Sequence, residues 1–185
     1  MRSSASTSKL PDDFFAACKK HEVRIPRDVL VVSIQRQTVD WFRRVAKNGA
    51  WKFKKSFSAS TSKFGIGQVE GSNRTPLGLH RIAQRIGGRY RQGAIFKGRK
   101  FVGYAGQPGV DGAVAHRILW LEGLEPGHNR GGKVDTFQRF IYIHGYMDET
   151  TLGRPASHGC VHLAAADLLP LYSELKVGTL VWIER

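Results

Sequence analysis

Cys160 lies between two histidines in Ser157-His158-Gly159-Cys160-Val161-His162. A third, His144, precedes it by sixteen residues in Ile141-Tyr142-Ile143-His144-Gly145. A thiol is a weak nucleophile until a basic or cationic neighbour favours its thiolate, and imidazole does this near neutral pH. One cysteine with several histidines able to fold back onto it is therefore a candidate for covalent catalysis. His144, His158, Cys160 and His162 are also borderline or soft ligands of the kind zinc or copper takes. Against a metal site, alternate residues of an extended loop point to opposite sides, and there is no second cysteine pair. His21, His80, His116 and His128 lack comparable surroundings and read as structural or exposed. The only other cysteine, Cys18, sits in a helical pattern and reads as a small buried apolar residue; a disulfide to Cys160 would block the thiol.

These side chains have to be held by the elements around them. Val29 to Ile34 is a compact β-branched run, a buried strand. Trp41 to Val45 continues as a second strand or a short helix, and Asn48-Gly49 marks a turn. From Trp51, a period of two predicts a strand with Trp51, Phe53, Phe57 and Ala59 on one buried face. A Gly/Ser/Thr-rich loop spans Ser60 to Gly78. Within it, Gly65-Ile66-Gly67 has neither the spacing nor the following Lys-Ser/Thr of a phosphate loop, and reads as a flexible loop on the substrate side. Leu79 to Ile82, Ile118 to Leu121, Phe140 to Ile143 and Gly178 to Ile183 are further strands. Ala164 to Leu175 has helical spacing interrupted by Pro170. Strands dominate, so the expectation is a mainly-β fold, a curved β-sandwich or open barrel with a few peripheral helices. Residues 1–27 form an N-terminal appendage, helical around Asp12 to His21, and residues 28–185 form the main domain.

A chain of 185 residues can bury a sizeable core. No apolar run approaches the ~20 residues that span a bilayer. The polar start, Met1 to Leu10, lacks the apolar stretch of a secretory signal. The net charge of +14 is localised: fifteen Lys/Arg and one acid, Glu70, lie between Trp41 and Val110, while the rest is balanced. Such a field attracts polyanions, or is simply a solvated basic face. No helix-turn-helix, zinc-finger or aromatic RNA-binding signature is visible, so no specific nucleic acid is expected.

With a His-Gly at a strand end and a Ser-His-Gly-Cys loop following it, the chain resembles the L,D-transpeptidase catalytic domain (YkuD-like) family. Three further pieces agree in order: the first strand Val29 to Ile34, the Thr75-Pro76-Leu77-Gly78 approach to a strand, and the closing Gly178 to Ile183. The resemblance covers about residues 28–185. It implies that Cys160 is the nucleophile and His144 the proton donor and acceptor. It also implies that the Gly145 carbonyl holds the imidazole in one tautomer. Gly159 would let the backbone turn so that N–H groups around Gly159 and Cys160 meet the oxyanion. His158 and Ser157 would orient the loop and contact substrate, with His162, Thr75 and Tyr142 also on the substrate-binding side. One departure is His162, where the family usually carries Arg or Asn. A histidine there would hold a carboxylate only when protonated or as a neutral donor.

The function the resemblance implies is acyl transfer on peptidoglycan tetrapeptide stems, through a thioester with release of D-alanine. The acyl group then passes to an amine, in cell-wall cross-linking or remodelling in the cell envelope or periplasm. Carbapenems are expected to acylate Cys160, and no metal or organic cofactor is required. The alternatives are an L,D-carboxypeptidase, with water as acceptor, and a non-catalytic basic module binding wall polymer or nucleic acid.

Overall fold

The computed structural model describes residues 9–45 and 49–185. The polar stretch Met1 to Ser8, and Asn48 of the expected Asn48-Gly49 turn, lie outside the described residues. Ten strands form one sheet: β1 (Asp28–Ser33), β2 (Thr38–Arg44), β3 (Trp51–Ser60), β4 (Gly78–Ile86), β5 (Ala94–Lys97), β6 (Lys100–Tyr104), β7 (Val114–Gly123), β8 (Tyr142–Gly145), β9 (Val161–Leu163) and β10 (Leu180–Glu184). Two α-helices accompany them, α1 (Asp12–Lys20) and α2 (Ala165–Glu174). The expected mainly-β fold is what forms, and Trp41 to Arg44 extend as part of β2 rather than coiling into a helix.

The strand order is β4-β10-β1-β2-β3-β9-β8-β7-β5-β6, and β4 also pairs with β7. That extra pairing closes eight strands into a barrel and leaves β5 and β6 as a hairpin attached along β7. Closure removes the exposed edges that an open sheet would present to other chains. Leu30, Val32, Phe57, Ile82, Leu119, Leu121, Ile143, Val161, Leu163, Val181 and Ile183 fill the interior, joined by Leu168, Leu171 and Leu175 of α2.

Both faces of β1 are buried, which explains its unbroken β-branched run. Leu30 and Val32 enter the interior; Val29 and Val31 lie outside, beneath Phe14, Ala17 and Cys18 of α1. The helix therefore covers a strand of the barrel, and Phe14 is fully buried there.

One expectation fails within β3. Phe57 and Ala59 join the interior, while Trp51 and Phe53 pack with Phe42 on the outer face under α1. The register of β3 against β2 shifts between Trp41 and Phe42, where Phe42 faces Phe53 and Trp41 faces Lys55. One extra residue on the bulged strand reverses which face an odd-numbered side chain takes. The four apolar residues keep a period of two and still divide between two cores.

Among the described residues no helix is long and apolar enough to cross a membrane. Replacing Phe14 with alanine removes the centre of the α1 packing. It should lower unfolding free energy by about 3 kcal/mol or more, measured by urea denaturation. A loss below about 1 kcal/mol would mean that the barrel does not depend on its N-terminal helix.

Candidate active site

Strands β8 and β9 run parallel, with Ile143 beside Val161, His144 beside His162 and Gly145 beside Leu163. Ile143, Val161 and Leu163 point into the core. Side chains alternate along a strand, so Tyr142, His144, Cys160 and His162 all fall on the outer face. Parallel strands need a long connection. Here residues 146–160 supply it, and its last turn is the Ser-His-Gly-Cys loop.

The Cys160 thiol is held by backbone at the start of β8. It donates to the Phe140 carbonyl at 3.5 Å and accepts from the Tyr142 N–H at 3.4 Å. His144 is buried, and its Nδ1 lies 2.7 Å from the Gly145 carbonyl oxygen. A carbonyl only accepts, so Nδ1 carries the proton and Nε2 presents a lone pair. Among the described residues no hydrogen bond joins His144 directly to Cys160. His162 is the direct neighbour of His144, and the thiol, beside Tyr142, is one step along the strand.

Gly145 has no room for a side chain. A Cβ there would meet the His116 ring and would lie 2.8 Å from the Ala115 carbonyl oxygen. His116 reaches this position because β7 is irregular between Ala115 and Ile118, where His116 has φ 65°. Its Nδ1 accepts from the Gly93 N–H at 3.0 Å. The structural reading of His116 thus becomes specific: it walls one side of the His144 pocket.

The loop that delivers Cys160 is braced from within. Ser157 Oγ donates to the Cys160 carbonyl at 2.6 Å and accepts from the Gly159 N–H at 3.2 Å. Thr75 Oγ1 donates to the Gly159 carbonyl at 3.1 Å and accepts from the Ser62 N–H at 3.0 Å. Gly159 has φ 121°, and a Cβ would meet Ile141 at 3.2 Å and the Arg74 carbonyl oxygen at 3.4 Å. These contacts correct three expectations. Ser157 and Thr75 are buried, with their hydroxyls used in holding the loop, so neither is placed to touch substrate. The Gly159 N–H is engaged by the Ser157 hydroxyl rather than left free for an oxyanion.

His158 is exposed at the rim with its ring 5.5 Å from Phe64. Tyr142 contributes chiefly its N–H; its buried hydroxyl lies 3.4 Å from Arg99 Nη1. His162 is buried, stacked on Tyr146 at 4.7 Å and edge-on to His144 at 4.7 Å. Burial, followed by the neighbouring imidazoles, pulls its pKa down to about 3. At neutral pH it carries no charge for a carboxylate.

Burial governs Cys160 and His144 as well. It pushes the Cys160 thiol up to about 11, with the Tyr142 N–H and the Arg139 charge opposing, and pulls His144 down to about 4. Desolvation disfavours either charged form. The resting pair is therefore thiol and neutral imidazole, not the thiolate beside a cationic imidazole that the sequence motif suggests. Both cysteines are free, and Cys18 is buried under α1. Among the described residues no three His, Cys, Asp or Glu side chains converge as metal ligands.

Sequence reasoning missed Arg139. Its Nη2 donates to the Arg74 carbonyl at 2.7 Å, beside Gly159, and its Nη1 is buried without a hydrogen-bond partner. In a chain with 29 Lys/Arg, nothing in its local pattern distinguishes it.

The eight-stranded barrel thus carries a thiol at the entry to β9 and a tautomer-fixed imidazole on β8, on one outer face. Residues 27–183 match the family model of the L,D-transpeptidase catalytic domain (YkuD), and the chain belongs to that family. Solved structures share the fold at low identity. The Bdellovibrio bacteriovorus protein Bd1075 aligns with a TM-score of 0.55 at 17% identity, over 86% of this chain and 48% of its own. L,D-transpeptidase 3 from Mycobacterium tuberculosis, in complex with a faropenem-derived adduct, gives 0.52 at 16%, over 86% and 61%. An L,D-transpeptidase from Mycobacterium smegmatis gives 0.51 at 14%, over 86% and 59%. This chain thus spans about half to three fifths of those chains. No curated protein matches the sequence.

The buried histidines make stability fall in acid. His80, His144 and His162 have folded pKa values of about 3, 4 and 3. Once unfolded, each takes up a proton near pH 6.5, so the unfolded state binds more protons between about pH 6.5 and 4. Stability is complete above that window and drops by roughly 1.4 kcal/mol per imidazole for each pH unit down through it. Urea unfolding at a series of pH values should show uptake of more than one proton. A flat profile would mean that these rings are hydrated in the folded protein.

Proposed function

We propose that this protein is a cysteine-dependent L,D-transpeptidase that acts on peptidoglycan tetrapeptide stems. The observation that carries the proposal is the pairing on one barrel face: Cys160, held by Tyr142 and Phe140, beside a His144 whose Nδ1 is fixed by the Gly145 carbonyl. Substrate binding displaces water, and the thiol turns from the Phe140 carbonyl towards His144. The imidazole Nε2 takes the thiol proton as sulfur attacks the carbonyl before the terminal D-alanine. The oxyanion is held by the Cys160 N–H. Collapse breaks the C–N bond, His144 returns the proton to the departing amine, and a thioester remains. An amine of a second stem then takes the acyl group, and water in its place makes the enzyme an L,D-carboxypeptidase.

A resting pair that is neutral suits this sequence, because charge forms only once the site is closed to water. The exposed Phe64, against the His158 ring, and Phe140, whose carbonyl meets the thiol, are available to shield the site. The work belongs in the cell envelope, where the polymer lies. A strained β-lactam presents sulfur with the same kind of carbonyl, so a penem or carbapenem should acylate Cys160. The absence of a direct His144–Cys160 hydrogen bond favours a second reading, a non-catalytic basic module binding anionic wall polymer.

Incubation with disaccharide-tetrapeptide and a free D-amino acid, followed by mass spectrometry, separates exchange, cross-linking and hydrolysis. Cys160→Ala should abolish D-alanine release and the carbapenem adduct, and His144→Gln should slow acylation by about 10²–10⁴. Binding of polymer with no product from the unaltered protein would establish the module instead. An adduct retained at the same site by Cys160→Ala would remove the nucleophile assignment.

A further inference from the structure

We propose that Arg139 is the anchor for a substrate carboxylate beside Cys160, a role that the buried His162 cannot fill. The proposal rests on the transpeptidase reading for its substrate but not for its geometry.

Arg139 precedes Phe140, whose carbonyl accepts from the Cys160 thiol. Its guanidinium bonds the Arg74 carbonyl, which also lies against Gly159. The charge is therefore fixed at the shoulder of the nucleophile loop, within electrostatic range of the sulfur.

The segment carrying it is rigid. The Arg139 N–H donates to the Asp135 carbonyl at 2.9 Å, and the Asp135 carboxylate accepts from Gly131 and Gln138 N–H groups. Phe137 stacks on Trp120 at 3.9 Å, and Trp120 Nε1 donates to the Phe137 carbonyl. Thr136 is held by the buried His80 at 3.1 Å.

What this segment presents is an incomplete site. Arg139 Nη1 is buried and has no hydrogen-bond partner. Glu70 lies within electrostatic range but forms no ion pair with it. A buried donor without an acceptor is costly, and a guanidinium recognises a carboxylate with strong charge-assisted hydrogen bonds. His162, neutral and stacked between Tyr146 and His144, cannot take this role. The ligand class is a carboxylate a few bonds from the scissile carbonyl. Two sources fit: the terminal carboxylate of the leaving D-amino acid, or that of the residue before it.

Alkylation of Cys160 tests the site without peptidoglycan. Iodoacetate and iodoacetamide react identically: sulfur bonds to carbon, iodide leaves and the thiol proton passes to solvent. They differ in carrying a carboxylate or a neutral amide. With adducts located on Cys160 by mass spectrometry, Arg139→Gln should lower the iodoacetate-to-iodoacetamide rate ratio by about tenfold or more. The iodoacetamide rate, which reads only the loss of the Arg139 charge from the thiol, should fall less than the iodoacetate rate. Arg139→Lys should keep part of the ratio. Arg91→Gln removes the same charge from an exposed position and should change the ratio less than about twofold. An unchanged ratio in Arg139→Gln overturns the proposal. So does parallel slowing of both reagents, which would make Arg139 a brace for the Gly159 turn alone. In the unaltered protein, N-acetyl-D-alanine but not its carboxamide should protect Cys160, and protection by both or neither also overturns it. Tetrapeptides amidated at one carboxylate or the other then identify the source, as the one whose turnover no longer depends on Arg139. Failure to release D-alanine alongside a reduced alkylation ratio would sink the transpeptidase reading and leave the anchor standing.

Discussion

The parallel register of β8 against β9 is the constraint on which the site depends. Ile143 meets Val161 inside the barrel, and His144 meets His162 outside it. A slip of one residue would turn the sulfur into the core and put Val161 in its place, because the side-chain period along a strand is two. Hydrophobic burial of three aliphatic side chains, Ile143, Val161 and Leu163, thus sets the face that carries Cys160 and His144. The loop braces from Ser157 and Thr75 then fix how Cys160 enters β9.

The site is also defined by what it lacks. Burial disfavours the charged form of both sulfur and imidazole, so neither is charged at rest. Reactivity stored as a free thiolate would be exposed to oxidation and to stray electrophiles. A thiol that is not ionised at rest is protected from both. The Arg139 charge acts on the thiol from a distance, without contact.

The basic middle segment has a physical form that its composition does not convey. Several of its arginines lie over aromatic rings: Arg85 over Tyr172, Arg89 over Tyr90, Arg91 over Tyr104, and Arg99 over both Trp120 and Phe140. Stacking orders the guanidinium planes and leaves their charge available. Arg99 also reaches the Tyr142 hydroxyl, so this cationic surface runs up to the thiol site. That arrangement suits a substrate rich in carboxylates.

Much of the architecture was legible because local pattern and burial agree in β1, β4, β7 and β10. The short β5 and β6 were not, since four or five residues among glycines and lysines carry little periodicity. The face of Trp51 and Phe53 was misread because a bulge is decided by the partner strand. Cys160 among its histidines could be found by residue type and spacing, whereas the choice of His144 and the part of Gly145 came only with the family resemblance. Whether the Ser157 and Thr75 hydroxyls face substrate or loop, and whether His162 carries charge, depends on burial that only packing creates. Arg139 became visible only in three dimensions, because one arginine among many gains meaning from the acceptor its buried nitrogen lacks. Sequence determined which chemical groups the protein owns and the alternation that sorts them. Tertiary structure decided their protonation and their neighbours, because desolvation and long-range contact are properties of the folded interior and not of any stretch of chain.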